Sequence, residues 1–271
     1  VSKPKLLMAL EIQVISDAKG SNPGGNCKVY GHGLNFDGYF KYCYGSQLGI
    51  VSSFVVKHQP IYEAITVSLA RALGLRTVDC YVLDNTSHDV RFHDLRQNPG
   101  KDHSGRDYYF VSKIVREPRI NPSETTIMSA PETDSPYLES LLVSDVVGKK
   151  QNYTFIETPF GNRTCYIDLG CSFVHATNGF LRQTSHKVHR LNSKDQKKLL
   201  HTLKGYHLIT SDNQSLINLG GFAEVLDRFS IPMLNPSRGC AIGELLDKDE
   251  IEEIKGYVAQ GFANSLKDHK E

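Results

Sequence analysis

A carboxylate follows a short apolar run in the second half of the chain, in the sequence YIDLGCSF over residues 166–173. Tyr166, Ile167 and Leu169 predict a short buried strand that ends in a Gly-Cys-Ser turn, and Asp168 lies at the end of that strand. An ionised side chain in such surroundings costs several kcal/mol of free energy unless something compensates its charge. The fold of this chain must therefore bring a positive charge to Asp168.

The first half of the chain has the pattern of several strands around one helix. The runs CKVYGHG and GYFKYCYG are rich in aromatic residues and bounded by glycine, which predicts a hairpin. The run IYEAITVSLARALG has isoleucine and leucine at helical spacing, with Pro60 before it and Gly74 at its end, which predicts a helix over residues 61–74. RTVDCYVLDN and YYFVSKIV predict two further strands, and the polar residues 85–107 between them predict a long loop.

The second half has mostly helical patterns. The run PYLESLLVSDVVG predicts a helix opened by Pro136, and NYTFIETPFGNRTCYIDLG predicts a hairpin that ends at Asp168. Three further helices are predicted where a serine or aspartate is followed three residues later by glutamine or glutamate, as in a capping box. These helices begin at Ser193, Ser211 and Asp247.

These patterns predict an α+β fold of two lobes. A β-rich lobe with one helix covers residues 1–115, a proline-containing linker covers 116–136, and a helical lobe with the inserted hairpin covers 137–271.

Composition argues against several classes of protein. The 271 residues are 39% hydrophobic, and no apolar run approaches the ~20 residues that span a bilayer, so no membrane span is predicted. The six cysteines form no C-x-x-C pair, which argues against a zinc ribbon. Several of them lie in apolar, strand-like runs, which predicts reduced, buried thiols in a cytosol-like compartment. Tryptophan is absent and basic residues do not alternate with aromatic ones, so nucleic acid is not an expected partner.

Four polar residues occur in a defined order within the predicted elements. Lys41 lies inside an apolar strand, and Glu63 lies 22 residues later inside the predicted helix. Asn152 begins the hairpin, and Asp168 ends it 16 residues later. Taken singly, each has a plain structural explanation, since a strand lysine and a helix glutamate are usually exposed and an asparagine at a strand start is usually a turn residue. The order of the four is much less common by chance.

With these residues the chain resembles the protein-kinase superfamily, specifically its atypical HipA-like branch, which is shared with some bacterial effector kinases. The resemblance is clearest over residues 27–175, where SLARALGLRTVDCYVL is similar to the helix and strand of that branch and YIDLGCSF to its metal-binding Asp-x-Gly. It implies a two-lobed protein-kinase-like fold that binds ATP and Mg²⁺, in the cytoplasm or secreted into a host cell. It also implies that the strand YYFVSKIV, with Val111 and Ile114, lies against the adenine.

The resemblance further implies a role for each of the four polar residues. Lys41 would hold the α- and β-phosphates of ATP, and Glu63 would orient Lys41. Asp168 and Asn152 would hold Mg²⁺. Phosphoryl transfer asks a protein mainly for positioned positive charge, and Mg²⁺ held by carboxylate and amide oxygens supplies it. The charge that Asp168 meets would then be magnesium.

Three features depart from the superfamily's pattern or compete with it. Its catalytic loop places an aspartate about five residues before the metal-binding asparagine, but the acid nearest to Asn152 is Asp145, seven residues before it. Either Asp145 is the catalytic base in a remodelled loop, or the chain has no base.

The run GGNCKVYGHG is glycine-rich but is not G-x-G-x-x-G. Lys57 is a rival to Lys41, although it lies only six residues before Glu63, which leaves too little chain for a strand, a turn and a helix start.

A basic segment follows the hairpin. Residues 180–206 carry seven lysines and arginines against one aspartate, a net charge of +6, whereas the whole chain has a net charge of +1. Because lysines near the N-terminus of a helix oppose its dipole unless an anion lies there, this segment predicts a site for a polyanion, such as an inositol polyphosphate or an anionic lipid headgroup. A solvated basic helix face explains the pattern equally well. The candidate residues are Lys149, Lys150, Arg182, Lys187, Arg190, Lys194, Lys197 and Lys198.

The predicted function is that of an atypical kinase that transfers the γ-phosphate of ATP to a serine or threonine of a protein substrate and is gated by the polyanion. Two alternatives stay open: a lipid or small-molecule kinase on the same scaffold, and a pseudokinase that acts as a binding module. The irregular spacing of Asp145 and Asn152 favours the second alternative.

Overall fold

Six strands of the chain form one sheet. The structure, a computed structural model, describes residues 9–18, 23–42, 57–72, 76–86, 90–100, 102–115, 119–120, 153–159, 161–169, 230–234 and 239–254. The strands of the sheet are β1 (Leu10–Asp17), β2 (Gly24–Gly31), β3 (Leu34–Lys41), β4 (Cys80–Asp84), β5 (Val90–Asp94) and β6 (Tyr108–Lys113). Their order is β4-β6-β3-β2-β1-β5, and every neighbouring pair is antiparallel except β1 and β5, which run parallel.

The sheet curls so that one of its faces encloses a core. The ring of Phe92 in the edge strand β5 lies 4.9 Å, centroid to centroid, from the ring of Tyr109 in β6, although three strands separate β5 from β6 in the sheet. Burial of a large apolar side chain stabilises a fold by about 1.5–3 kcal/mol, so this core is the main source of stability of the sheet. Its buried members include Leu10, Ile12, Val14, Val29, Phe40, Leu83 and Val111.

One helix, α1 (Gln59–Ala72), covers the outer face of the sheet against β4 and β6. Successive side chains of a strand point to opposite faces, so Phe40 points into the core while Lys41 points outward to the side of α1. The helix buries Ile61 and Ile65, which lie one turn apart on the same stripe.

A second sheet ends beside the connection between α1 and β4. Its strands β7 (Arg119–Ile120), β8 (Tyr153–Thr158) and β9 (Gly161–Tyr166) pair antiparallel in the order β7-β8-β9. The N–H of Tyr166 donates a hydrogen bond to the carbonyl oxygen of Arg76 at 2.9 Å, and the N–H of Val78 donates to that of Tyr166 at 3.2 Å. These two bonds hold the end of β9, and therefore Asp168, close to the first sheet.

The described residues near the C-terminus pack against the edge of the first sheet. They form β10 (Ser230–Pro232), β11 (Gly239–Ala241), a 3₁₀ helix (Ile242–Glu244) and a helical stretch over residues 248–254. The N–H of Leu234 donates a hydrogen bond to the carbonyl oxygen of Val82 in β4 at 2.8 Å, and Met233 forms a parallel bridge with Val82. This segment belongs to the predicted helical lobe in sequence, yet it contacts the β-rich part of the chain.

The predicted elements and the described ones agree in large part. The helix α1 begins two residues before the predicted helix, and β3, β4, β6 and the β8–β9 hairpin overlap the predicted strands. The strand β1 is not predicted, and β5 lies inside the predicted loop over residues 85–107. The described part is thus a β-rich curled sheet with few helices, and most of the predicted helical lobe lies outside the described residues, so the division into two lobes stays a prediction.

Candidate functional site

Three charged side chains that are far apart in the sequence meet at the end of β3. Lys41 Nζ lies 2.8 Å from Glu63 Oε1 and 2.8 Å from Asp168 Oδ1, so the ammonium group donates a hydrogen bond to each carboxylate. The side chains of Lys41 and Glu63 are 9% and 4% exposed, whereas that of Asp168 is 32% exposed. The positive charge that Asp168 meets in this structure is therefore Lys41.

Neighbouring strands fix the position of Lys41. Gly24 of β2 pairs with Lys41, and a Cβ atom on Gly24 would lie 2.1 Å from the carbonyl oxygen of Phe40, so a residue with a side chain does not fit there. On the other side Lys41 pairs with Phe110 of β6, and its ammonium group lies 5.5 Å from the centroid of the Phe110 ring. That distance allows a cation–π interaction, which further restrains the lysine.

Glu63 is held by both the sheet and the residues after β9. Its carboxylate accepts a hydrogen bond from Lys41 and another from the backbone N–H of Leu169. Since the preceding residue, Asp168, contacts Lys41 itself, the end of β9 is linked to both members of the buried pair. Among the described residues a small cleft lies at this point, and its lining residues are Lys41, Tyr42, Gln59, Pro60, Glu63 and Phe110.

Burial and charge act in opposite directions on the pair. Burial by itself would lower the pKa of Lys41, but the negative charges of Glu63 and Asp168 outweigh it and hold the pKa of Lys41 above its usual range. Burial raises the pKa of Glu63, and the charge of Asp168 reinforces the rise, although the Lys41 ammonium group opposes it. The pKa values of Lys41 and Glu63 are both raised because one ammonium group faces two carboxylates, which stabilise the lysine charge while they repel each other. Lys41 is therefore charged at neutral pH.

This arrangement can bind an anion. Lys41 is a positive charge at a fixed position, and Asp168 is the more exposed of its two partners. An anionic oxygen that enters from the cleft can therefore replace Asp168 on the ammonium group while Glu63 keeps the lysine in place. The released carboxylate would then be able to take a cation that accompanies the anion.

The structure separates Lys41 from its rival, Lys57. The ammonium group of Lys57 lies 3.0 Å from Asp107 Oδ2 and 5.6 Å from the centroid of the Tyr108 ring, and its side chain is 41% exposed. Among the described residues, the ion pair of Lys57 is with Asp107, whereas that of Glu63 is with Lys41. The geometry therefore favours Lys41 as the partner of the helix glutamate.

The two residues predicted to lie against an adenine have different surroundings. Val111 pairs with Phe40 and is fully buried in the core of the curled sheet, on the face opposite to Lys41. Its side chain therefore points away from Lys41, and the role of Val111 beside an adenine stays a prediction. Phe110, the residue before it, lies on the Lys41 side. Ile114 lies four residues after Phe110, so alternation places it on the same face, and it is partly exposed. Both features are compatible with the prediction.

The glycine-rich run GGNCKVYGHG divides between the two ends of β2. Gly31, His32 and Gly33 form the turn between β2 and β3 with φ angles of 112°, 49° and 80°, at the end of β3 farthest from Lys41. Seven residues of strand separate that turn from Lys41, about 24 Å at 3.4 Å per residue. The Gly31–Gly33 turn is therefore a hairpin turn remote from the site, and Gly24 is the glycine beside Lys41.

Several predicted site residues lie outside the described residues. They are Asp145 and Asn152 of the predicted catalytic hairpin and the polyanion candidates Lys149, Lys150, Arg182, Lys187, Arg190, Lys194, Lys197 and Lys198. Their roles stay predictions.

Two of the described cysteines, Cys27 and Cys80, are unsuited to be nucleophiles. Cys27, Cys80 and Cys165 are buried, as predicted, and Cys27 and Cys80 form no disulfide bond. Burial raises the pKa of both Cys27 and Cys80 to about 12, which leaves almost no thiolate at neutral pH.

Sequence reasoning did not identify two further polar groups. Glu250 is buried and contacts His58 and Tyr62 at the start of α1. Arg96 and His103, both in the predicted loop, contact Asp17 at the end of β1. The only sequence signal near either group was the predicted capping box of Asp247 and Glu250, and it indicated a local partner for Glu250 instead.

Comparison with known proteins adds a structural likeness. No known protein family matches the chain, and no curated protein matches it in sequence. The chain is similar to the crystal structure of a Helicobacter pylori proinflammatory kinase, CtkA, with a TM-score of 0.39 and 10% sequence identity over 94% of this chain and 95% of that chain. A TM-score this low does not define the fold. Among the described residues, no helix is long and apolar enough to span a membrane.

Proposed function

We propose that this chain is a kinase-like phosphotransferase that uses ATP and Mg²⁺. The observation that supports the proposal most directly is the contact of Lys41 with both Glu63 and Asp168, which brings together a strand, a helix and the end of a hairpin. Phosphoryl transfer depends mainly on positioned charge around the phosphates, and a lysine held by a helix glutamate next to a metal-binding aspartate supplies such charge.

In this proposal Lys41 binds a phosphate oxygen of ATP. The ammonium group stays charged because Glu63 remains its partner, and Phe110 and Gly24 keep its strand in register. The nucleotide would occupy the side of the sheet on which Phe110 and Ile114 lie. Substrate binding would therefore use the outer face of the sheet and leave the core of the curled sheet untouched.

The described residues fit a magnesium ion through one carboxylate. Mg²⁺ keeps several waters and takes one or two protein carboxylates together with phosphate oxygens of a substrate. Asp168 is partly exposed and can be such a ligand, whereas Glu63 is buried against Lys41. No group of three or more His, Cys, Asp or Glu side chains suited to a metal ion occurs among the described residues, so the nucleotide would supply the other charged ligands. When bound, Mg²⁺ would neutralise charge on the β- and γ-phosphates.

The finer parts of the proposal rest on the sequence. The acceptor would be a serine or threonine of a protein, Asn152 would be a second magnesium ligand, and Asp145 would be the base. A polyanion such as an inositol polyphosphate, bound by the basic residues after the hairpin, would gate the activity. Calorimetry with an inositol polyphosphate tests this last point: absence of saturable heat, or binding unchanged in the double variant Lys197→Glu and Lys198→Glu, would contradict it.

A transfer assay with matched lysine variants tests the main proposal. The protein is incubated with radiolabelled ATP, Mg²⁺ and a generic acceptor protein, and phosphate incorporation is measured. Lys41→Ala should lower the rate by at least about 10²-fold, the usual cost of one lost charge-stabilising donor. Lys57→Ala removes a lysine of similar chain position that does not contact Glu63, so it should keep nearly the wild-type rate. Equal rates for wild type and Lys41→Ala would contradict the assignment.

A pseudokinase is the second candidate, favoured by the seven-residue spacing of Asp145 and Asn152. Such a protein would bind ATP but transfer no phosphate. Binding measured by calorimetry without any transfer, even into the protein itself, would support this candidate and would still require Lys41.

A further inference from the structure

Glu250 is a buried carboxylate that reaches across the fold to α1. Its side chain is 0% exposed. Both of its carboxylate oxygens lie 3.0 Å from His58 Nδ1, and Oε1 also accepts a hydrogen bond from the hydroxyl group of Tyr62. Glu250 is separated from these residues by 192 and 188 positions in the sequence. A buried carboxylate needs such partners, because without them its burial would cost several kcal/mol.

The orientation of Glu250 differs from that of a local helix cap. In a capping box the side chain at this position turns back to the backbone N–H of the capping residue. Here the side chain of Asp247 does accept a hydrogen bond from the N–H of Glu250, at 2.9 Å, which is one half of a capping box. The carboxylate of Glu250 instead points to α1, while the N-terminus of its own helical stretch, residues 248–254, favours its negative charge.

Glu250 and Lys41 contact adjacent sides of the start of α1, where His58 directly precedes the helix and Tyr62 lies in its first turn. His58 and Tyr62 are four residues apart and face Glu250. Gln59 and Glu63, also four residues apart, face the cleft and Lys41. Consecutive residues of a helix are rotated by about 100° around its axis. A contact that fixes Tyr62 therefore restrains the rotation of α1 about its axis and the distance between Glu63 and Lys41.

We propose that Glu250 is a positioning residue that sets the contact between Glu63 and Lys41 by holding the first turn of α1 through His58 and Tyr62. The proposal rests on the phosphotransferase function proposed above for the role of that contact in transfer. It adds that a segment near the C-terminus of the chain controls the helix on which the glutamate lies.

The competing explanation is that Glu250 only attaches the C-terminal segment to the sheet. That role would make Glu250→Gln less stable, but it would leave Lys41 in its usual surroundings in every molecule that is still folded. The two explanations differ in what happens to Lys41, whose pKa is raised chiefly by Glu63 against the effect of burial. The reactivity of Lys41 toward an acylating reagent reports this surrounding, because only the neutral amine reacts.

The test measures acylation of Lys41 at pH 9 in the full chain without nucleotide, by mass spectrometry of the peptide that contains it. Glu63→Gln serves as the positive control, since it removes the direct partner. Glu250→Gln should increase the labelling rate of Lys41 by about tenfold, the factor that corresponds to one pKa unit. Tyr62→Phe, which removes one hydroxyl group and keeps the ring, should give a smaller increase. Alkylation of the buried thiol of Cys27 in the same samples reports whether the fold is intact.

Glu253→Gln is the matched control, because it removes the same charge from an exposed position on the same helical stretch and leaves the contacts of Glu250 in place. It should label like the wild type. A labelling rate of Lys41 that is equal in Glu250→Gln, Tyr62→Phe and the wild type, with Cys27 protected, would overturn the proposal. Should Glu250→Gln expose Cys27, the decision rests on Tyr62→Phe.

A kinetic measurement then separates this proposal from the proposed function. If the wild type transfers phosphate, Glu250→Gln should lower kcat by about tenfold or more, because Lys41 would be misaligned for transfer. The KM for ATP should change less than threefold, because every group that binds the phosphates is still present. An unchanged kcat would contradict the positioning role. If the wild type neither binds ATP nor transfers phosphate, the proposed function fails, and the labelling comparison still decides whether Glu250 sets the contact of Lys41.

Discussion

Glu63 is the residue on which the site depends most, because it is buried and forms an ion pair with the charged ammonium group of Lys41. Its carboxylate receives hydrogen bonds from Lys41 and from the N–H of Leu169, so a glutamine could keep part of this network but not the charge. Removing one charge of a buried pair usually destabilises a protein, yet here Lys41 retains Asp168. The loss should therefore appear in function more than in stability.

Glu63→Gln should lower the rate of phosphate transfer by about 10²-fold, the effect of misplacing a group that binds substrate. The free energy of unfolding should change by less than about 2 kcal/mol, since burial raises the pKa of Glu63 and the neutral amide avoids that cost of burial. Transfer assays and urea unfolding measure the two effects. Retention of the full transfer rate would show that Lys41 needs no helix partner.

Arg96 lies among charged residues that connect β1, β5 and the following loop. Its guanidinium group binds Asp17 at 2.6 Å and both carboxylate oxygens of Asp94, and His103 Nε2 lies 2.8 Å from Asp17. The hydrogen bond from His103 holds the pKa of Asp17 below its usual range, and the bonds from Arg96 lower the pKa of Asp94 to about 2. Both carboxylates are therefore ionised in the folded protein at a pH where they begin to be protonated in the unfolded chain.

This difference predicts how stability depends on acid. The contribution of the two carboxylates is fully present above their unfolded pKa of about 3.9 and is lost as the pH falls toward the folded value. Urea unfolding should therefore show a decline between pH 4 and about pH 2, below about 1 kcal/mol for each carboxylate because both are partly exposed to solvent. Arg96→Ala should flatten this decline, whereas Arg91→Ala, a control in β5, should not. If stability falls equally with pH in Arg96→Ala and in the wild type, the pairing of Arg96 with the two carboxylates is not the cause of the decline.

The strands β2 and β3 position Lys41, and Gly24 of β2 leaves no room for a side chain beside β3. Gly24→Ala would put a Cβ atom 2.1 Å from the carbonyl oxygen of Phe40, so the backbone of β2 or β3 must shift. The variant should lose about 1–3 kcal/mol of stability, as overpacked positions do, and nucleotide binding should weaken with it. Gly100→Ala is the control, because nothing lies within 4 Å of its Cβ position. Urea unfolding and calorimetry measure both properties, and equal values for the two variants would contradict the tight approach.

The elements that sequence predicted well are those whose signals are local. The helix α1 has apolar residues at helical spacing between a proline and a glycine, and β6 is an apolar run, so both were expected near their observed bounds. The strand β1 alternates buried and more exposed residues over LEIQVISD, and this period of two could have been recognised. The strand β5 is mostly polar, and only its parallel pairing with β1 makes it a strand. That pairing is not visible in a local pattern.

The site was predictable in the same uneven way. Lys41, Glu63 and Asp168 were found because a resemblance links three separate motifs, and the structure does bring them together. The hold of Glu250 on α1 could not be found, because its partners lie 188 or more residues away and its local pattern indicates a cap. Long-range contacts of this kind follow from the packing of whole elements.

At the scale of the whole molecule, the described residues near the C-terminus pack against the edge of the first sheet and share its core. Leu234 is fully buried with the core of the curled sheet, and its N–H binds the edge strand β4. Met233 and Ile231 are buried beside it, so this segment contributes to the same core as residues more than 150 positions earlier. The chain should therefore unfold this sheet and this segment together.

Leu234→Ala tests whether they form one cooperative unit. Deleting most of a fully buried leucine side chain should cost about 2–5 kcal/mol, because the cavity it leaves cannot close completely. If the segment and the sheet are one unit, circular dichroism and the exposure of Cys27 should report a single urea transition, displaced to lower urea in the variant. Ile15→Ala, at a partly exposed position of β1, should change the midpoint little. Loss of the segment at low urea while Cys27 stays protected would show instead that the sheet is stable without it, and that Glu250 is carried by an independent element.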